Sequence, residues 1–160
     1  MLARDSLSRA AATAVGVCTL LAAAARLFSL RALPIFGDEA LNLRMAVLAA
    51  REPFSRLWIP LQESQPPLHV WLLALVLPVS RDPVLAGRLL SAVAGILCVP
   101  AAAWAARRIL EVFAPGTLRG TRVAAVATAA LVALCPLFVF SSRLARVDAL
   151  FLLEDRKSVV

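Results

Sequence analysis

Apolar residues fall in long runs along the chain, and the polar residues, arginine above all, stand at their ends. A helix that crosses a bilayer needs about 20 mainly apolar residues, whereas runs of about 10–14 suit interfacial or re-entrant segments. Run length therefore sorts the elements. Ala10 to Leu30 is long enough to span, with Arg26 snorkelling to the nearby surface. Leu89 to Ala106, between Arg88 and Arg107-Arg108, and Val123 to Phe140, between Arg122 and Arg143, read as two further spans. Pro100 and Pro136 lie inside them, which membranes tolerate because neighbouring groups satisfy the freed backbone. A fourth apolar run begins near Ala149. Leu68 to Val79 is apolar but short, and it is flanked by Pro66-Pro67 and by Ser80-Arg81-Asp82-Pro83.

The short run decides the topology. If it spans, the segment from Arg107 to Arg122, with four arginines against the single Glu111, lands outside, against the tendency of short basic loops to stay cytoplasmic. If it lies on the surface, that loop is inside, and so is the N-terminus with Arg4 and Arg9. The expected fold is thus an all-α polytopic transmembrane bundle with about three full spans and a fourth started. Interfacial helices occupy a long outer loop from Arg31 to about Val84, and an outer turn covers Ser141 to Asp148. The alternative for the first thirty residues is a cleaved signal peptide, since Arg4 and Arg9 precede an apolar run ending in Ala22-Ala23-Ala24-Ala25.

Composition agrees with the runs: 61% hydrophobic and 17% charged residues leave more apolar surface than a soluble core of 160 residues hides. The formal charge of +7 does not read as nucleic-acid binding, because the arginines flank apolar runs and form no phosphate-tracking face. Cys18, Cys98 and Cys135 sit inside apolar runs without a Cys-x-x-Cys pairing and read as small packing residues. The tail Asp155-Arg156-Lys157-Ser158-Val159-Val160 interrupts the last apolar run and matches the translation of a sequencing adapter. The fold argument therefore uses residues 1–154, read as the N-terminal part of a longer protein.

The candidate chemistry lies in the outer segments. Asp38 and Glu39 follow the first span and open a helix-favouring stretch, Leu41 to Arg51. At about 100° per residue, Asp38, Glu39 and Asn42 share a sector with the small Ala46, Ala49 and Ala50, while Arg44 and Arg51 point away. A small acidic face of this kind suits a sugar hydroxyl. The same positions equally suit an N-cap aspartate and a first-turn glutamate. Glu63 and His69 flank the Pro66-Pro67 motif, though a single histidine is a weak metal signal, and Trp58 and Trp71 suit the membrane interface. Asp148 opens the fourth apolar run and faces the same compartment as Asp38, as a functional acid or as a helix cap. Arg88 serves as a flank of the second span or as a phosphate partner.

Four pieces stand in order: Gly37-Asp38-Glu39 after Arg26-Leu27-Phe28-Ser29-Leu30, then Gln65-Pro66-Pro67-Leu68-His69-Val70-Trp71, then Gly87-Arg88-Leu89-Leu90-Ser91-Ala92, then Ala145-Arg146-Val147-Asp148. This arrangement resembles the GT-C class of integral membrane glycosyltransferases, in particular the protein O-mannosyltransferases and the lipid A aminoarabinose transferases. The resemblance covers residues 10 to 154. It implies transfer of a sugar from a polyprenyl-phosphate carrier to a hydroxyl on a lipid, glycan or protein acceptor at the outer face of the plasma membrane. Asp38 is similar to the family's essential first-loop aspartate, Glu39 to its neighbour, and Asp148 to the second outer acid. Glu63, Arg88, Asn42 and His69 are then candidate substrate contacts. Gln65 and Ser64 depart from a lysine and a metal-binding glutamate found in relatives, so no cofactor is fixed and a divalent metal stays open. The rival classes are a multi-spanning transporter component and a non-catalytic membrane subunit. Transporter sites usually sit at the bilayer midplane, however, and these acids cluster at one surface.

Overall fold

The computed structural model describes residues 2–52, 58–62, 67–114 and 116–145, and among them every regular element is helical. The elements are α1 (Leu2–Leu27), a 3-10 turn at Leu30–Ala32, α2 (Gly37–Arg51), α3 (Ile59–Gln62) and α4 (Pro67–Val76) with a 3-10 turn at Leu77–Val79. They continue as α5 (Pro83–Phe113), α6 (Leu118–Leu134) and α7 (Pro136–Ser141).

Helices α1, α5 and α6 pack along their lengths, α5 antiparallel to the other two. Their shared core is built from small residues: Ala22 on α1, Val99 and Ala103 on α5, and Ala125, Ala129 and Ala133 on α6. Large apolar side chains point the other way, and Leu20, Leu97 and Leu131 are 71%, 54% and 66% exposed. Small residues inside and large apolar ones outside is the pattern of helices that meet by close backbone approach in lipid. Two helices among the described residues are long and apolar enough to cross a membrane, Arg9–Ala32 and Pro83–Phe113. At about 1.5 Å per residue, α5 is about 46 Å long, more than the roughly 30 Å of hydrocarbon. It extends past the expected limits at both ends. Pro83 at its first position and Asp82 as its cap, accepting from the Leu85 N–H at 3.0 Å, start it early. At the far end Glu111 pairs with Arg107 at 2.7 Å and with Arg108 at 3.2 Å, one helical turn away. The expected loop from Arg107 to Arg122 is therefore mostly helix, with a turn around Gly116, whose φ of +95° suits glycine.

The third expected span is not one helix. Helix α6 ends at Leu134, and Cys135 takes an extended conformation (φ −60°, ψ 119°) before α7 begins at Pro136. A proline disfavours helical geometry in the residue ahead of it and has no N–H for the carbonyl four positions back, here that of Val132. Arg26 supplies the missing donors. Its Nη2 donates to the Val132 carbonyl at 2.9 Å and its Nη1 to the Ala133 carbonyl at 3.1 Å. The side chain is 1% exposed, so Arg26 does not snorkel as expected; it is a buried cap on a broken helix. Pro100, by contrast, stays inside α5.

Helices α2 and α4 form a second packed unit at the end of the bundle where α5 begins. Leu43, Met45 and Ala46 of α2 meet Val70 and Leu73 of α4, Leu77, and Ala86 in the first turn of α5. Each large side chain buried there contributes about 1.5–3 kcal/mol. With its 3-10 turn, α4 covers about 21 Å, short of a bilayer's hydrocarbon. Trp71 of α4 stacks edge-on with Trp58 at 6.1 Å.

Candidate active site

The chain runs extended from Leu33 to Phe36 and then turns into α2. Phe36 holds the cap position, and its carbonyl accepts from the Ala40 N–H at 2.9 Å. Asp38 is therefore the second helical residue, not the N-cap, and Glu39 the third. Both lie where the helix dipole favours negative charge. Adjacent positions point about 100° apart on a helix, and here that difference separates two fates: Asp38 is exposed and Glu39 is wholly buried.

Glu39 meets Arg88 of α5 through two parallel hydrogen bonds, Nε to Oε1 and Nη2 to Oε2, each 2.8 Å long. Arg88 also donates from Nη1 to the carbonyls of Leu30 (2.6 Å) and Leu33 (3.0 Å), and from Nη2 to that of Pro34 (3.0 Å). All five of its N–H donors are thereby used. Among the described residues, no backbone N–H donates to these three carbonyls of the link between α1 and α2. Oε1 of Glu39 accepts a further bond from the Ala145 N–H at 3.0 Å, and Asn42, one turn along α2, donates from Nδ2 to the Ala145 carbonyl at 3.2 Å. Burial pushes the Glu39 carboxyl up, but the Arg88 hydrogen bonds, the Ala145 N–H and the guanidinium charge outweigh it. The net effect holds the group below the usual carboxylate range.

This network ties together the end of α1, the start of α2, the first turns of α5 and the segment after α7. Two close helix contacts prepare it. A Cβ at Gly87 would lie 2.6 Å from the Ala145 Cβ, and one at Gly95 would lie 2.5 Å from the Ser142 Cβ, so only glycine fits at either position. Arg143 adds a clamp by donating from Nη2 to the Phe28 carbonyl at 2.6 Å, and Phe36 packs edge-on against Phe140 at 6.0 Å. On the surface nearby, Arg31 pairs with Asp82 at 3.1 Å. The Leu85 N–H and then Arg31 hold the Asp82 carboxyl below its usual range, outweighing its partial desolvation.

The sequence-based site therefore divides. Arg88 is 1% exposed, and all its donors go to protein groups. Glu39 is wholly buried as well, with its carboxylate engaged by Arg88 and the Ala145 N–H. Asn42 and His69 are buried too, His69 beside the core formed by Val70 and Leu73. Of the Asn42 amide, Oδ1 has no partner among the described residues. Asp38 is the one candidate among the described residues that faces outward. Asp148, Glu63 and the tail at 155–160 lie outside the described residues. Among those described, no three His, Cys, Asp or Glu side chains converge on a metal-sized site.

No protein-family model matches the chain, and no curated protein or solved structure is significantly similar to it. What sequence reading missed is the role of the backbone: the Leu30, Leu33 and Pro34 carbonyls and both polar groups of Ala145. A detectable sign was present, since Glu39 and Arg88 carry opposite charge beside apolar runs, where an unpaired charge is costly.

Proposed function

We propose that this chain belongs to a multi-pass membrane glycosyltransferase of the GT-C type. It would draw on a polyprenyl-phosphate-linked sugar, with the N-terminus and the arginine-rich end cytoplasmic and the Asp38 end outside. The observation that carries the reading is the division of labour between adjacent carboxylates. Glu39, locked to Arg88 and Ala145, fixes the frame, and Asp38 stands exposed on the first turn of the helix so anchored. In this reading the acceptor hydroxyl attacks the anomeric carbon while Asp38 takes its proton. The bond from that carbon to the phosphate oxygen breaks, configuration inverts, and polyprenyl phosphate leaves with the electron pair. The donor's isoprenoid tail keeps the reaction at the membrane. Asp148 takes the part of the second outer acid, and α1, α5 and the α6–α7 pair are the spans. Five basic residues, Arg9, Arg107, Arg108, Arg119 and Arg122, gather at the end away from Asp38, which supports the orientation.

The transporter alternative gains no support from the buried cation inside the bundle, because Arg26 is spent on backbone carbonyls. The test is reconstitution of the purified protein with polyprenyl-phosphate sugars and a hydroxyl acceptor. Release of polyprenyl phosphate with sugar on the acceptor supports the reading. Absence of release across hexose and pentose donors, from protein with an intact fold, counts against it.

A further inference from the structure

Two clefts meet at the basic end of the bundle, away from Asp38. One, of about 600 Å³, lies between α1 and α6. Arg119 and Arg122 line it near the helix terminus, and Ala14, Val126 and Ala127 line it further along. The other, of about 300 Å³, is lined by Pro100, Ala103 and Trp104 of α5, with Arg107 and Arg122 beside them. The clefts share Ala11 and Arg122, so they form two arms around one face of α1. Cations near the terminus and small apolar residues further along the helices make an amphipathic groove. A free inorganic anion has no use for the apolar length, and a neutral lipid has none for the arginines.

We infer that this groove binds an anionic phospholipid of the leaflet at the basic end, with its phosphate at Arg119 and Arg122 and an acyl chain along the alanine-lined arms. The inference rests on the helices lying in a bilayer and is independent of the transferase reading. Charge complementarity carries it. Arg9, Arg107, Arg108, Arg119 and Arg122 all lie at this end and outnumber its acids, Asp5 in the first turns of α1 and Glu111, the latter engaged by Arg107 and Arg108. Basic pockets between helices on the cytoplasmic side suit anionic headgroups. The volumes are those of sites that hold a small ligand or part of a larger one. Trp104, 59% exposed, stands in one arm as a built-in reporter.

The experiment uses the full chain with Trp58→Phe and Trp71→Phe, which leaves Trp104 as the sole tryptophan, in phosphatidylcholine bilayers. Either brominated phosphatidylglycerol or brominated phosphatidylcholine is added in increasing mole fraction, and quenching of Trp104 is read. The expected preference for the anionic lipid is about fivefold or more, the factor for one basic residue at a membrane surface. Arg119→Gln with Arg122→Gln should bring it within about twofold of unity. A companion chain keeping only Trp71, at the opposite end, should show no preference. Equal quenching by both lipids at Trp104 would mean only an unselective annulus, and absence of quenching by either would mean that protein fills the groove. Either result overturns the inference, as does a preference that survives both arginine substitutions.

Discussion

Breaking the Glu39–Arg88 pair should unfold the end of the bundle that carries Asp38, and the size of the effect follows from the contacts. Glu39→Ala leaves a guanidinium that is 1% exposed without its counter-charge, a loss of about 3–5 kcal/mol for a buried pair. It also orphans the Ala145 N–H, which adds about 1–3 kcal/mol. Arg88→Met strands the carboxylate and the carbonyls of Leu30, Leu33 and Pro34 and should cost a similar amount. Because both substitutions remove the same interaction, the double variant should cost less than the sum by about 2 kcal/mol or more, near the upper range for residues in contact. The assay is reversible unfolding in mixed micelles across wild type, the two single variants and the double. Acid supplies a second arm. Glu39 has a depressed folded pKa, so its contribution is fully present above the unfolded value of about 4.3 and is lost as pH falls through the lower folded value. Wild type should therefore lose stability below about pH 4.3 more steeply than Glu39→Gln. Single effects that add within about 0.5 kcal/mol, or acid profiles that coincide, would refute the reasoning.

Gly95→Ala places a methyl 2.5 Å from the Ser142 Cβ and should destabilise by about 1–3 kcal/mol in the same unfolding assay, whereas Gly16→Ala, with open space around it, should be neutral or mildly stabilising. Arg26→Met leaves the Val132 and Ala133 carbonyls bare and should cost about 1.5–3 kcal/mol, a loss that shrinks once Pro136→Ala restores an N–H to the Val132 carbonyl; equal losses in the two backgrounds would contradict the capping role. A cysteine at Ser80 should react with an impermeant maleimide from outside in intact cells and one at Gly116 should not, and the reverse pattern would overturn the orientation.

Apolar run length located the long helices: the runs from Ala10 and Leu89 correspond to the two that are long and apolar enough to span a membrane. It failed at Cys135, where hydrophobicity continues unbroken and only the backbone chemistry of Pro136 ends the helix. The sector shared by Glu39, Asn42, Ala46 and Ala49 was legible, but its meaning was not, since a small acidic face reads alike whether it lines a cavity or packs against an arginine. What decides is the partner, and Arg88 lies 49 residues away in the chain. Asp38 was placed on that sector as well, yet one step of helical rotation sets it in the open. Arg26 read as a snorkelling residue of the first span and Arg88 as a flank or a phosphate partner, because a sequence does not display which backbone carbonyls go unmet.

The central claim is that Asp38 acts chemically while Glu39 acts structurally, and the direct measurement compares purified Asp38→Asn with wild type. Asp38 is in the first turn and exposed, where a carboxylate contributes about 0.3–1 kcal/mol through the helix dipole, and Asn keeps the side chain's shape and hydrogen-bonding oxygen, so melting should stay close to wild type. Sugar transfer from a polyprenyl-phosphate donor should fall by about a hundredfold or more, the scale of general-base catalysis. Near-full transfer by Asp38→Asn at unchanged stability would contradict the account and leave Asp38 as a surface helix residue.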